Sequence, residues 1–298
     1  MPYPKLPAPA PGEVLLICTC YEEDKARWGE VLGALRGRQD GDAVVLDDGG
    51  VRLRLAEDPG WDYLQGGNLP ALVPEGSAAP PIAAVVDIPV VYGGAAVLLV
   101  DLREIPGRGV RVPGDDLGRV LAALLGGSLR FDELVHGMDR FGVYQGDGWA
   151  PAIPTPTTVV RASFPRLPAT EMTLLVRTDF TDDRAWRALV DALGEPDEDG
   201  GFSAGEGLSD RVELSAVVVD DREFEHLQPG QVPALVPPGE HTTMVALADA
   251  ATMADPAHPV LVVDLYDTPG QVTRIPLAEA GSMAANLEIS NMDFADFV

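Results

Sequence analysis

The chain has 298 residues, which is enough for two domains of ordinary size, each with its own core. Its formal net charge is −26, divided into −9 for residues 1–150 and −17 for residues 151–298. A field of this sign repels phosphate backbones and anionic lipids, so we expect neither nucleic acid nor a membrane surface as a partner. The charge favours a basic protein or a metal cation, unless the acidity serves solubility alone.

The amino-terminal segment and the cysteines favour a cytoplasmic protein. No apolar run follows Lys5, and the longest apolar runs, such as residues 95–100, are too short to cross a bilayer. The only two cysteines, Cys18 and Cys20, stand two residues apart on a predicted strand, at the limit of disulfide geometry, without histidines to complete a zinc site. We therefore expect buried free thiols.

A strand-and-helix opening occurs twice in the chain. Residues 15–35 read LLICTCYEEDKARWGEVLGAL and residues 174–193 read LLVRTDFTDDRAWRALVDAL, each a short apolar strand, an acidic turn and an amphipathic helix. The predicted helices bury Trp28, Val31, Leu32 and Leu35 in the first copy and Trp186, Leu189, Val190 and Leu193 in the second. We expect a first domain at 1–145, a stiff Pro/Thr-rich linker at 146–163 and a second domain at 164–298.

Each copy begins with an extended arm, Tyr3–Pro7 or Phe164–Pro168, whose aromatic residue and leucine we expect to pack on the domain that follows. Four strands are then predicted, with a short helix between the second and the third. The strands are Val14–Thr19, Val51–Leu55, Ile82–Val86 and Val97–Leu102 in the first copy, and Thr173–Thr178, Leu214–Val219, Met244–Ala248 and Val260–Leu265 in the second.

A Pro-Gly turn follows the fourth strand and leads into a fifth strand, which forms a hairpin with it, and then into a closing helix. The fifth strands are Val110–Val112 and Val272–Ile275, and the closing helices are Asp115–Leu125 and Leu277–Leu287. These elements predict an α/β or α+β fold. We expect two homologous domains, each a mixed sheet flanked by helices, related by a pseudo-twofold axis.

The two copies end differently. The first runs on through HGMDRFGVYQGDGW, whereas the second stops at Val298. Either the second copy lacks its last element, or the tail of the first copy serves both.

The second copy resembles a family of uncharacterised bacterial domains that is common in actinobacteria. The motifs that carry the resemblance are LLVRTDFTDDRAW, VPALVPPG, HPVLVVDLYDTPG and NLEISNMDFADF, which together span most of residues 172–298. The resemblance implies no established activity and supplies no catalytic residue. The first copy is a diverged member, in which Cys20 stands at the position of Asp179.

Five aspartates stand at or just past the ends of predicted strands in the second copy: Asp179, Asp220, Asp221, Asp249 and Asp264. Because parallel strands bring such residues to one edge of a sheet, these carboxylates form a candidate binding cluster. They would suit Mg²⁺, with Asp220 and Asp264 as ligands, since Mg²⁺ prefers oxygen ligands. Alternatively they are ordinary turn and helix-cap residues, with Arg177 paired to Asp179.

Asn291 and Asp293, in the segment Asn-Met-Asp-Phe, complete the candidate set. The alternative for this segment is helix capping by Asn291 with Phe294 in the core. The four histidines have no partner at catalytic or metal spacing, and no nucleophile elbow or phosphate-binding loop motif is present.

Two functional hypotheses remain. The first, which we favour, is an acidic tandem-domain binding module for a basic partner, of the inhibitor or immunity-protein type. The second is a Mg²⁺-dependent enzyme that uses the carboxylates of the second domain, with the first domain as a scaffold. The sequence leaves the oligomeric state open.

Overall fold

The computed structural model describes residues 3–28, 31–74, 80–94, 96–146, 155–156, 158–196, 201–202, 214–239 and 242–298. Among these residues no helix combines the length and the apolar character needed to span a bilayer. Each copy forms its own mixed β-sheet flanked by helices.

The first copy contains a seven-stranded sheet in the order β4-β5-β6-β1-β7-β8-β9. The central strand β1 runs parallel to β6 and β7, and the outer pairs are antiparallel. In chain order the strands are β1 (Glu13–Cys18), β2 (Tyr21–Glu22), β3 (Lys25–Ala26), β4 (Gly37–Asp40), β5 (Ala43–Leu46), β6 (Arg52–Ala56), β7 (Ile82–Val86), β8 (Val97–Asp101) and β9 (Gly109–Val112), of which β2 and β3 form a separate hairpin. The helices are α1 (Val31–Ala34), α2 (Ile88–Gly93), α3 (Gly114–Leu125) and α4 (Phe131–His136), and 3-10 turns span Pro59–Trp61 and Gly66–Leu72.

The second copy repeats this plan in a six-stranded sheet, in the order β11-β12-β10-β13-β14-β15. Its central strand β10 runs parallel to β12 and β13. The strands are β10 (Thr173–Arg177), β11 (Gly201–Phe202), β12 (Ala216–Val219), β13 (Met244–Ala248), β14 (Val260–Asp264) and β15 (Val272–Ile275). The helices are α5 (Asp183–Leu193), α6 (Ala250–Ala254) and α7 (Leu277–Glu288), and 3-10 turns span Arg222–Phe224, Pro229–Gln231 and Phe294–Phe297.

The two sheets are covered on both faces, which explains why their central strands are almost continuously apolar. In the first copy α3 and α4 cover one face, and the arm with the 3-10 segments covers the other. In the second copy α5, α7 and the carboxyl-terminal turn cover the first face, and the arm packs on the second. The arms pack as predicted, since Leu6 and Leu167 are buried in these clusters and Tyr3 and Phe164 pack against them.

The helix predicted after the acidic turn of the first copy is short, since α1 spans only Val31–Ala34, and residues 29–30 lie outside the described part of the chain. The predicted packing is found, because Leu35 is buried in the core and Trp28, Val31 and Leu32 pack against it. The acidic turn before α1 is the tip of the β2–β3 hairpin, where Glu23 and Asp24 adopt left-handed backbone angles of +49° and +60°. Cys18 and Cys20 are buried free thiols, as expected.

Contacts between the copies run in both directions. A Cβ built on Gly66 would lie 3.8 Å from Pro269, and one built on Gly230 would lie 3.4 Å from Ile105. Gly66 and Gly230 lie in equivalent segments, as do Ile105 and Pro269, so the pattern is the reciprocal one that a pseudo-twofold axis requires. The backbones approach closely here, because a Cβ on Gly67 would lie only 2.5 Å from that of Pro233.

The tail of the first copy contacts both halves. Arg111 N donates to the carbonyl of Gly142 at 2.8 Å, which joins the tail to β9. Gln271 Nε2 of the second copy donates to the carbonyl of Arg140 at 2.7 Å. The tail of the first copy therefore contacts both copies.

Candidate functional site

Three of the predicted aspartates follow parallel strands and stand at one edge of the second sheet. Asp179, Asp220 and Asp249 come after β10, β12 and β13, with Asp221 next along the chain. The expectation that Asp264 joins them is wrong. It ends β14, which runs antiparallel to β13 and pairs Asp264 with Met244, at the opposite edge.

The pair that we predicted as Mg²⁺ ligands is therefore split. Three strand spacings and about four residues along the strands separate Asp220 from Asp264, a distance on the order of 20 Å. Within the described part of the chain, no three His, Cys, Asp or Glu side chains are grouped so that they could hold a metal ion.

The carboxylates at the carboxyl ends of β10 and β12 accept hydrogen bonds from nearby backbone amides and side chains. Asp179 accepts from the Thr181 amide at 2.7 Å, and Asp221 accepts from the Glu223 amide at 2.9 Å. Asp220 accepts from Arg177 and from the indole N–H of Trp186, at 3.2 and 2.9 Å. These contacts match the turn and cap alternative.

The Arg177 guanidinium is nearly buried and holds this edge together. Its Nε donates to the carbonyl of Asp179 at 3.0 Å, and its Nη2 lies 2.6 Å from the Asp183 carboxylate. The pairing with Asp179 thus uses the backbone carbonyl, and the side-chain partners are Asp183 and Asp220. The Arg177 hydrogen bond lowers the pKa of Asp183 below its ordinary value.

Asp249 forms a bidentate ion pair with Arg274, with contacts of 3.0 and 2.5 Å. It also caps α6 through the Thr252 amide at 3.0 Å. Burial alone would raise the pKa of Asp249, but the hydrogen bonds from Arg274 and Thr252 outweigh it and lower that pKa.

Asp264 lies fully buried in the turn between β14 and β15. It accepts from the backbone N–H groups of Tyr266, Asp267 and Thr268, at 2.8, 3.1 and 2.5 Å. Burial, and next the nearby Asp267 carboxylate, raise the pKa of Asp264 to about 7.

The first copy contains the equivalent turn, in which the buried aspartate has an additional partner. Asp101 accepts from three equivalent N–H groups and from Arg108 Nε, at 3.1 Å. The second copy has Gln271 at the position of Arg108. Asp264 therefore lacks the arginine that neutralises its counterpart.

The two candidate residues near the carboxyl terminus, Asn291 and Asp293, have different surroundings. Asn291 is exposed and donates to Asn286 Oδ1 at 2.7 Å, so it does not cap the last turn. Phe294 is fully buried, as the core alternative predicted. Asp293 precedes that turn and lines a cavity between the two copies.

This cavity, which we call the central cleft, has a volume of about 410 Å³. Both copies contribute to it. Its walls include Tyr92, Arg111 and Phe141 from the first copy, and Asp264, Asp267, Met292 and Asp293 from the second. Tyr92 and Phe141 are 63% and 53% exposed, so aromatic faces stand at its rim.

Arg111 forms the inner wall of the central cleft and was not predicted. It is buried, lies 2.9 Å from the Asp87 carboxylate, and also donates to the carbonyl of Asp267 from the other copy. Burial would lower the pKa of Arg111, and the Asp87 carboxylate outweighs it and raises that pKa. Arg111 and Arg274 share the offset of 163 residues that relates the copies, and this offset was the signal available in the sequence.

A second cavity, of about 400 Å³, lies at the carboxyl edge of β10 and β13. We call it the second-copy pocket. Its walls include Thr178, Asp179, His226, Gln228, Asp249, Ala250 and Arg274. Of the predicted candidate residues, Asp179 and Asp249 therefore line the second-copy pocket, whereas Asp264 and Asp293 line the central cleft.

Comparison with known proteins places both copies in one family. No curated protein matches the chain. A family model described as Domain of unknown function (DUF6924) matches residues 13–147 and again residues 172–298. The two matches cover most of the chain and correspond to the two sheets, so the chain belongs to this family and carries its domain twice.

Proposed function

We propose that the chain is a binding module for a basic protein partner, and that the central cleft receives a lysine or arginine side chain of that partner. The observation that carries the proposal is the lining of the cleft. Exposed aromatic faces stand at its rim, the carboxyl groups of Asp264 and Asp267 form its floor, and Asp293 lies exposed on its wall.

An aromatic face and an ionised carboxylate both attract a cation, and Asp293 is an exposed carboxylate of this cleft. The rings already attract cations within the chain. Arg140 lies over Phe141 at 4.6 Å, and Arg27 lies over Tyr92 at 5.8 Å, both measured to the ring centroid.

The field of the whole chain supports the same proposal. A net charge of −26 would accelerate the approach of a basic protein and weaken that of an acidic one. Under this proposal the partner meets the chain in the cytoplasm, and the proposal requires no catalysis. The Mg²⁺-enzyme alternative has less support, because its two ligands lie at opposite edges of the sheet.

Affinity capture at two salt concentrations tests the proposal. The immobilised chain is incubated with lysate of its source organism at about 50 and about 300 mM salt, where a charge-driven contact is strong and weak respectively. Two variants with equal charge change are compared: Asp293→Lys in the cleft, and Asp191→Lys, which is exposed on α5.

We expect a salt-sensitive basic protein to be retained by the unmodified chain and by Asp191→Lys. Its affinity should fall about tenfold or more for Asp293→Lys, because a like charge then stands in the cleft. Equal loss for both variants, or no salt-sensitive partner, would contradict the proposal.

A further inference from the structure

The two copies carry the same pocket at the carboxyl edge of their parallel strands. The pocket of the first copy is lined by Thr19, Tyr63, Leu64, Gln65, Asp87 and Ile88. The second-copy pocket has Thr178, His226, Leu227, Gln228, Asp249 and Ala250 at the equivalent positions. Even the backbone matches, since Tyr63 and His226 both have left-handed angles, of +59° and +67°.

The pocket of the first copy is filled by the second copy. Tyr266, on the turn between β14 and β15, forms part of its lining, and only about 20 Å³ of the pocket remains open. Burial, and next the Asp87 carboxylate, raise the pKa of the Tyr266 hydroxyl to about 12. Beside the ring, Arg111 donates to the carbonyl of Asp267, and Gly109 N donates to that of Pro269 at 2.7 Å.

The second-copy pocket has no such occupant among the described residues. The residue equivalent to Tyr266 is Arg103, which is exposed and does not line the pocket. The pocket has a volume of about 400 Å³, and Thr155 and Pro156 of the linker form part of its rim.

The arginine side chains of the two pockets also differ in how far they are covered. The side chain of Arg111 is 3% exposed, whereas that of Arg274 is 24% exposed. Both are bidentate to the aspartate of their pocket and donate to the carbonyl of Ala96 or Pro259. Among the residues that the structure describes, Arg111 also has a carbonyl acceptor from the other copy and Arg274 has none.

From this comparison we infer that the second-copy pocket binds a turn of a partner protein that presents an aromatic side chain, with the next backbone carbonyl accepting from Arg274. The chain itself supplies the template, because its own Tyr266–Asp267 turn occupies the equivalent pocket in this way. A volume of about 400 Å³ is in the range of sites that enclose a group of this size.

This inference goes beyond the proposed function, since it concerns a different cavity and a different chemistry. Recognition of an apolar ring depends little on salt, whereas the capture of a cation by the central cleft weakens as salt rises. The salt dependence therefore separates failure of one proposal from failure of the other.

The test uses the intact chain and a synthetic cyclic peptide with the sequence of residues 262–273, VVDLYDTPGQVT. Amide resonances of the ¹⁵N-labelled chain are followed during titration with the peptide at about 50 and 300 mM salt. We expect shifts at Thr178, His226, Gln228 and Ala250 that persist at the higher salt.

Two controls fix the mode of binding. A peptide with Tyr266→Ala should bind about tenfold more weakly or not at all, because the ring is the anchor. In the chain, Ala250→Trp fills the pocket from an exposed wall position and should abolish the shifts, whereas Ala254→Trp, exposed on the same helix but outside the pocket, should leave them unchanged.

Absence of shifts in the second-copy pocket would overturn the inference. So would shifts confined to Thr19 and Asp87, equal binding of the peptide that lacks the ring, or binding that survives Ala250→Trp. The folded state of each variant is read from the same spectra, so loss of binding is distinguished from loss of structure.

Discussion

At the scale of single residues, the copies differ in the charge beside a buried aspartate, Asp101 in the first copy and Asp264 in the second. Gln271 replaces Arg108, so the carboxyl group of Asp264 keeps its backbone donors without a cation. The pKa of Asp264 is raised from 3.8 to about 7, chiefly by burial. The folded state therefore binds a proton that the unfolded state releases, between about pH 4 and pH 7.

The sign of the resulting pH dependence follows directly. Stability from this group is fully present below pH 4 and is lost as the pH rises through 7. We predict that the free energy of unfolding falls between pH 5 and pH 8 by up to about 3 kcal/mol more for the unmodified chain than for Asp264→Asn.

Urea denaturation at the two pH values measures this difference. Asp191→Asn is the matched control, because it replaces the same residue type at an exposed position on α5. If Asp264→Asn retains the full pH dependence of the unmodified chain, a group other than Asp264 binds the proton on folding, which contradicts the prediction.

The sequence predicted the positions of the candidate site residues only in part. The aspartates at strand ends were visible, but the direction of β14 was not, and that direction moves Asp264 to the other edge. The acidic turn of the first copy was predicted, but its left-handed backbone angles at Glu23 and Asp24 were not, because neither residue type requires them.

At the scale of elements, the predicted strands of both cores are found, and β7, β13 and β15 have the bounds expected from their apolar runs. The strands β4, β5 and β11 were missed, because they lie in the segment where the copies diverge, so that no repeated motif marks them.

The helix α3 depends on a glycine contact that no apolar pattern reveals. A Cβ built on Gly118 would lie 2.1 Å from the carbonyl oxygen of Asp48, and one on Gly49 would lie 2.5 Å from Ala122. The helix and the turn before β6 thus meet backbone to backbone.

We predict that Gly118→Ala destabilises the chain by about 1–3 kcal/mol, since the added methyl group forces the helix and turn apart. Gly33→Ala is the control, because the space around Gly33 is open and Ala favours helix by up to about 1 kcal/mol. Thermal unfolding followed by circular dichroism compares the two. Equal midpoints would show that the contact is not tight.

At the scale of the whole molecule, duplication is what the sequence reveals most completely, because equal offsets between motifs need no structural knowledge. The way in which the copies contact each other was not predictable. The turn of one copy fills the pocket of the other, and only the resulting asymmetry shows which pocket stays open.

The stoichiometry of binding to the cyclic peptide of residues 262–273 tests this asymmetry most directly. Titration calorimetry should give one site for the unmodified chain and none for Ala250→Trp, since the pocket of the first copy stays occupied by the chain's own turn in both. No site in either chain, or the same number in both, would contradict the account of two equivalent pockets of which one is filled from within.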